Sequence, residues 1–523
     1  MDMQKATVLV DGAGPVGLTM ACELARHGVA CRIFDKEPEA SPQSRALAIF
    51  PRTLEVFHTL GILEEVLAEG QRLEAVCLYN DSKLLARMGF ESIDSPYRFA
   101  LSLPQSHTER ILAARLEALG VKIEWGMKLT AMEKDRTGVR ATYRTDAGEQ
   151  EVSGGWMIGC DGAHSSVRHL IGMDFQGGQY DEEFLLADVK VESDLPANSA
   201  HLFISRDGLF AYFPFAGGRG RIIADQRSGS SHAGPEPTME EIAALAKARC
   251  FHPMEISDCV WKAWFRISHR MVQQYSIGRV FLAGDAAHIH SPAGGQGMNT
   301  GIQDAFNLGW KLALVTHGVA DARLLASYEA ERMPVARSVV NLTDRMTRTA
   351  TAQNPVAQHL RDWLVPLLTG IPFVKEAMAE RLSEVSIDYR ASPLSLNHGL
   401  GSLHAGDRAP DAVLYDRPAR VERRIFDLLR EPGFLLLGFD GVEPSKVCHA
   451  SLSGLPGAAY RIVSPGQETP PGTLEDRDFK ARTAYGAGEK GLIVLIRPDG
   501  YVAVRAESET TLAEGITRLK GAE

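Results

Sequence analysis

Cysteine is scarce in this chain and poorly placed for redox or metal work. Its seven cysteines (Cys22, Cys31, Cys77, Cys160, Cys250, Cys259 and Cys448) include no C-x-x-C pair and lie near no histidine at metal-ligand spacing. A disulfide framework, a zinc module and thiol exchange are therefore excluded as organising principles, and no metal is expected. The cysteines read as small core residues in a reducing compartment. No apolar run reaches about 18 residues, so no membrane span is expected. There is no Lys/Arg block and no aromatic-basic stripe, and the formal net charge is −10, which argues against nucleic acid as a partner. The N-terminus enters a strand at once, without a basic region or cleavage site, and the expected location is cytoplasmic. Apolar material is plentiful, 45% over 523 residues, enough for two or three domains.

The most informative stretch is GDAAHIHSPAGGQGMNTGIQDAFNLGWKL, from Gly284 to Leu312. It follows the apolar run RVFLA and leads into a helical pattern carried by Ile302, Ala305, Phe306, Leu308 and Trp310. The order is strand, Asp, Gly-rich loop, helix. It sets unpaired helix amides beside a loop that a planar, electron-accepting cofactor can approach closely. At the other end of the chain, a strand over Thr7 to Val10 runs into GAGPVG, with Gly12, Gly14 and Gly17 in G-x-G-x-x-G register. A helix, the strand CRIF and then Asp35 follow, 18 residues past Gly17. Gly12 makes the tight turn, Gly14 admits a pyrophosphate, Gly17 packs helix on strand, and Asp35 stands where an acid takes ribose hydroxyls. An adenine dinucleotide is expected here, and the motif alone does not choose between NAD and FAD.

Between these blocks, Lys122 to Val152 reads as a meander. Arg45 lies in a loop entering a helix, and Gln105 precedes a helix whose Glu109 and Arg110 read as a solvated face. WMIGCDGAHSSVRHLIG presents a strand, Asp161-Gly162 and a helix start with Ser165 and Arg168, which by itself reads as an ordinary capped turn. From about Phe175 to Trp264 strands dominate. Phe203, Phe210, Tyr212, Phe213 and Phe215 give an aromatic sheet face, either plain core or the wall of a pocket for a flat apolar substrate. Helices continue to about Glu384, bending near Pro334. Ser392 to Asp407 reads as a linker into a separate α/β unit of thioredoxin-like kind. That unit lacks C-x-x-C, so a packing or dimerising role is expected for it, with a homodimer as its consequence.

Taken together, GAGPVG with Asp35, CDGAHSSVR, and the Gly284 block resemble the single-component (group A) flavoprotein aromatic hydroxylases over roughly Val8 to Met333. The C-terminal unit resembles the redox-dead thioredoxin-like domain of their phenol hydroxylase branch. The resemblance implies an α/β fold: a Rossmann-like FAD domain of para-hydroxybenzoate-hydroxylase type, an interleaved β-sheet substrate domain, and a thioredoxin-like domain. The implied bounds are 1–175 with 266–390 for FAD, with part of the substrate region inserted near 75–105, 176–265 for substrate, and 400–523 for the last unit. It also implies FAD as cofactor, NADPH or NADH as co-substrate, and hydroxylation of a small aromatic compound by O2 through a flavin C4a-hydroperoxide.

Carried onto this chain, the resemblance puts Gly12, Gly14, Pro15, Val16 and Gly17 at the FAD diphosphate. Asp35, where many members carry Glu, and neighbouring Lys36 take the adenosine ribose. Arg45 and Gln105 touch the FAD; Asp161, supported by Arg168, serves both FAD and NAD(P)H; Gly284 and Asp285 hold the ribityl chain. Pro292 and the run Gly294, Gly295, Gln296, Gly297, Met298 and Asn299 border the isoalloxazine. Tyr212 and Arg219 lie in the strands where members contact substrate and join Pro292 as expected catalytic-site residues, whereas His288 and His290 read as scaffold.

Three other readings share this scaffold. A halogenase of the tryptophan type would carry W-x-W-x-I-P, and WKAW with Phe265-Arg266-Ile267 does not match. A dehydrogenase or epoxidase would use the same cofactor on a non-aromatic substrate. A non-catalytic FAD-binding interaction protein would lack substrate-stimulated NAD(P)H oxidation.

Overall fold

The computed structural model describes residues 7–41, 46–80, 82–205, 208–226, 236–291, 295–350, 372–399, 401–439, 452–467, 470–488 and 491–521. Short apolar runs bounded by turns form its first sheet. The strand order is Ser276–Ile277, Val280–Leu282, Trp156–Gly159, Val8–Asp11, Cys31–Phe34 and Ile123–Glu124. All neighbours are parallel except the Ser276–Ile277 edge. All four residues of Val8–Asp11 are buried, as for a central strand covered on both faces. The helix Pro15–Arg26 leaves its C-terminal end and packs along Gly297–Thr316. The two helices meet at small residues: a Cβ on Gly301 would lie 2.6 Å from Val16 Cγ2, and one on Gly309 would lie 2.5 Å from Glu23 Cγ. A separate three-stranded meander covers Lys128–Lys134, Val139–Thr145 and Gly148–Gly154, all antiparallel.

The second large sheet has eight strands, in the order His288–Ile289, Met254–Val272, Phe175–Ser193, Arg219–Gln226, Gly208–Pro214, Ser199–Ser205, Ala75–Asn80 and Lys83–Gly89. Met254–Val272 is one continuous strand of 19 residues, so the backbone runs without a break past position 265. Side chains alternate between the two faces. Phe203, Phe210 and Tyr212 pack with Leu185, Ile222 and Ala224 on the face covered by Met239–Arg249, a helix that starts in a capping box made by Thr238 and Glu241. Phe213, Leu202, Val76 and Ala200 lie on the opposite face with Ala48 and Phe50. The aromatic stripe expected on one face is therefore split between two. Phe213 turns away from Phe210 and Tyr212 because it is one residue out of phase with them.

The C-terminal sheet also has eight strands: Leu396–Asn397, Val502–Ala506, Ile493–Ile496, Phe434–Phe439, Gly457–Val463, Thr473–Glu475, Val413–Asp416 and Val421–Arg424. Phe434–Phe439 runs parallel to Gly457–Val463 and antiparallel to Ile493–Ile496, and the helix Glu509–Leu519 closes the unit. One expectation fails here. Ser392 to Asp407 is not a free linker: Leu394, Leu403 and Ala405 are buried and Leu396 pairs with Val504. The unit has an apolar core of its own and also packs on the rest of the chain, where Trp310 and Leu314 share one apolar cluster with Phe434, Leu436, Ile493 and Leu495. A Gly/Ser/Pro-rich composition identifies a segment without regular structure, but says nothing about whether that segment is buried.

A buried polar network crosses the same boundary. Arg497 donates to Glu331 at 2.7 and 2.8 Å and to Asp499 at 2.9 and 2.5 Å. Lys311 Nζ reaches Glu331 at 2.7 Å, and Trp310 Nε1 reaches Asp499 at 3.1 Å. Burial alone would push the Glu331 carboxyl up, yet Arg497 and Lys311 hold it well below the usual carboxylate range. Deleting one partner of such a network strands a charge without water. Arg497→Ala is expected to cost about 3–5 kcal/mol, and Arg497→Lys should recover only part of it because an ammonium lacks the planar fork that pairs bidentately with both carboxylates. The thermal unfolding midpoint of the full chain measures both, and an unchanged midpoint for Arg497→Ala would show that the network carries no stability.

Candidate active site

The first block forms a cradle whose glycines do different things. Gly12 has φ +103, and a Cβ there would lie 2.4 Å from Cys160 O. A Cβ on Gly17 would lie 1.8 Å from Gly12 O. Both positions exclude side chains because backbone occupies the space. Gly14 differs: among the described residues, the only atom a Cβ would meet within 4 Å is Glu109 Oε1, at 4.0 Å. The helix beginning at Pro15 has no side-chain cap and no acid in its first turn, so its free amides and positive end face that open side. An anionic phosphate fits there on steric and electrostatic grounds.

Acids ring this cradle. Asp35 accepts from Ala13 N at 2.7 Å and from Glu37 N at 2.9 Å, fixing the loop, while Lys36 is exposed. Gln105 accepts from Ala46 N at 2.9 Å and donates to Glu109 Oε1 at 2.8 Å. Glu109 does not belong to a solvated face. It is half-buried, and burial pushes its carboxyl up to about 7. Arg110 is exposed and pairs with Glu69. Beneath the loop, Asp161 accepts from Val167 N at 3.2 Å, while its Oδ1 is buried without a hydrogen-bond partner among the described residues. Burial and the neighbouring Asp161 together raise the Asp11 carboxyl well above the usual range. Asp11 went unread in the sequence; its only signal is an acid at the last position of an otherwise apolar strand.

Arg168 joins two of the three blocks. Its guanidinium donates to Ala286 O at 3.0 Å and to Ala163 O at 2.9 Å and lies 4.0 Å over the Phe175 ring. Ser165 caps its short helix by accepting from Arg168 N at 2.9 Å. The third block starts at Gly284, whose φ is +59 and which packs on Val16, so the two glycine loops touch. Asp285 is exposed and engaged in an interaction. His288 bonds to Asp304 at 2.7 Å with 1% of its surface exposed, a scaffold contact. Asp304 also accepts from Gly284 N at 3.1 Å and from Arg332 at 2.7 Å. His290 Nδ1 contacts Ser291 O at 2.9 Å, and its Nε2, beside Gly297, has no partner among the described residues. Burial pushes this imidazole down to about 4, so it is neutral at physiological pH.

The end of the block grips the chain near residue 48. Gly295, with φ +66, sits against Ala48 and Phe50. Asn299 spends its whole amide on backbone: Nδ2 donates to Ala48 O at 2.8 Å and Gly295 O at 3.0 Å, and Oδ1 accepts from Phe50 N at 2.9 Å. Gln296 donates to Arg381 O at 3.1 Å, Met298 is buried, and the helix from Gly297 opens without a side-chain cap. Three expected residues, Arg45, Pro292 and Gly294, lie outside the described residues.

Tyr212 and Arg219 are not brought to this place. Tyr212 faces the helix Met239–Arg249, stacked with His201 at 6.2 Å. Arg219 is tied to Asp258 at 2.6 Å near the surface. The sheet face turned toward Phe50 carries Phe213 instead. No group of His, Cys, Asp or Glu able to hold a metal occurs among the described residues.

A family model described as "FAD binding domain" matches residues 5–343. The 6-methylpretetramide 4-monooxygenase of Streptomyces rimosus is 35% identical, over 96% of this chain and 91% of its own length. The pentachlorophenol 4-monooxygenase of Sphingobium chlorophenolicum is 34% identical, over 96% and 94%. The solved aklavinone-11 hydroxylase, in a ternary complex with FAD and aklavinone, superposes with a TM-score of 0.80 at 25% identity, over all of both chains. The chain belongs to the FAD-binding-domain family of flavoprotein monooxygenases.

Proposed function

We propose that the protein hydroxylates a phenolic ring, either a simple phenol or the phenolic edge of a fused polyketide, with NADPH or NADH as reductant and O2 as oxygen source. The carrying observation is the apolar sheet face of Val76, Leu202 and Phe213, which packs against the same Ala48–Phe50 segment that Asn299 and Gly295 grip. The relatives' named substrates, a pretetramide and a chlorophenol, suit such a wall. Bound FAD supplies a ring that accepts an electron pair from the nicotinamide and passes it to O2.

The protein's own tasks are binding, orientation and exclusion of water. Gly12, Gly14, Pro15, Val16 and Gly17 hold the diphosphate with amides of the Pro15 helix, and Asp35 with Lys36 takes the adenosine end. Gln105 and Arg45 border the cofactor, and Asp161, Arg168, Gly284 and Asp285 hold its middle. The uncapped amides from Gly297 stabilise negative charge on the reduced ring, with Gln296, Met298 and Asn299 fixing the loop. The apolar side chains of the facing sheet keep water from the reacting oxygen. The C-terminal unit, thioredoxin-like and without redox cysteines, braces the helix Gly297–Thr316. The cytoplasm and a homodimeric state belong to the same reading.

A screen of phenolic compounds for stimulated NAD(P)H consumption, with H2O2 measured alongside, tests the activity; FAD-loaded protein that no phenol stimulates would refute it. Two substitutions separate the sheet faces. Phe213→Ala should raise KM for the aromatic substrate by roughly tenfold and increase the H2O2 released per NAD(P)H oxidised. Tyr212→Phe should leave both unchanged, and the reverse outcome would return the substrate to the other face.

A further inference from the structure

Glu109 sits four residues after Gln105, one helical turn into Gln105–Ala118. That helix packs against Pro15–Arg26 and brings the carboxyl over the one open glycine of the cradle, with Oε1 4.0 Å from where a Gly14 Cβ would stand. Gln105 holds the group there through a 2.8 Å bond to Oε1, and Gln105 is itself anchored on Ala46 N. Oε2 has no partner among the described residues.

A diphosphate offers only acceptor oxygens and two negative charges. An ionised carboxylate beside it is repelled, whereas a protonated one donates a hydrogen bond. The surroundings favour the protonated form. Burial and the like charge of Asp35, across the loop, outweigh the Gln105 bond, which favours the ionised form, and Arg110 turns away to Glu69. Half-burial already lifts the group close to neutrality before any phosphate is present.

We propose that Glu109 is a ligand of the FAD diphosphate that binds it as a neutral acid, so that FAD binding takes up a proton. The inference rests on the FAD reading. The sign follows from linkage: a group protonated more in the bound than in the free state favours binding below its free pKa, and affinity falls as pH rises through it.

Titration calorimetry of FAD into the full-length protein stripped of FAD, at each pH in two buffers of different ionisation enthalpy (HEPES and Tris at the alkaline end, MES and acetate at the acid end), counts the protons. At pH 8 up to one proton per FAD is expected, falling toward zero at pH 5.5. The FAD dissociation constant, followed by flavin fluorescence, should rise up to tenfold per pH unit above about 7. Glu109→Gln, which keeps a donor without the titration, should remove Glu109's share of the uptake and flatten that profile. Glu109→Ala should also flatten it, but bind FAD roughly tenfold more weakly than the parent at pH 6. Uptake undiminished in Glu109→Gln, or parental affinity at pH 6 in Glu109→Ala, overturns the inference. A parent protein that binds no FAD at any pH overturns the FAD reading instead.

Discussion

The carboxylate of Asp304 is the contact on which the arrangement of the glycine loops depends. It accepts from the Gly284 amide, from His288 and from Arg332 at 3.1, 2.7 and 2.7 Å, and it is fully buried. Burial pushes the group up, but Arg332 and His288 overrule it and keep the carboxyl below its ordinary value. Arg332 also donates to Thr300 O at 3.0 Å and to the Tyr389 hydroxyl at 2.9 Å. The Asp304–Arg332 pair therefore fixes the turn after the Val280–Leu282 strand, the first turn of the helix that begins at Gly297, and the segment leading into the C-terminal sheet. In the low dielectric of the interior such a set is costly to leave half made, so it admits one geometry rather than several.

Glu331 precedes Arg332 on the helix Ala326–Ala350 and does the complementary job. Arg332 reaches Asp304 and Thr300, near the glycine loops, while Glu331 reaches Asn307, Lys311 and Arg497, toward the C-terminal sheet. The helix Gly297–Thr316 is thus held at two levels, Thr300–Asp304 and Asn307–Lys311, by adjacent side chains of one neighbour. That helix is buried over nearly its whole length, which a helix lying on a sheet with one side toward water would not be. The C-terminal unit supplies the missing cover through Phe434, 5.6 Å edge-on to Trp310, and through Arg497 and Asp499. Its lack of redox cysteines then has a physical reading: its contribution is surface and charge.

What the sequence made legible was whatever local sterics dictate. Gly12 and Gly17 have to be glycine because backbone lies where a Cβ would go, and that demand reads directly as G-x-G-x-x-G. The strand, loop and helix of the Gly284 block were legible because apolar period and glycine placement agree there. Facing was not legible. Tyr212 and Phe213 are neighbours of similar chemistry, and their alternation shows that they point apart without showing which one meets the cofactor loops. That choice is made by Phe50 and Ala48, more than 160 residues earlier in the chain. Glu109 reads as solvated in the sequence for a related reason. A charged residue on a helix without a strong apolar stripe looks solvated until a distant loop folds over it. The stretch from Ser392 to Asp407 looked like a linker because composition records lack of regular structure and not burial.

The acids gathered around the cradle form one electrostatic problem. Asp11, Asp35, Glu109 and Asp161 all lie around the cradle, and by formal charge they would oppose a dianion there. Burial changes that count. It raises Asp11, Glu109 and Asp161, each of which is then held toward its neutral form, whereas Asp35 is tied by two backbone amides. The field at the helix N-terminus is consequently less negative than the sequence suggests, and the positive end of the helix acts against fewer opposing charges. This has a consequence for the protein without cofactor. A carboxyl whose folded pKa lies above its unfolded value contributes stability that is complete below the unfolded pKa and is lost as pH rises through the folded one. For Glu109 that loss runs from about 4 to about 7, and the two deeper acids add to it in the same direction. The cradle therefore becomes less stable by itself across the range in which a bound dianion would hold these protons in place.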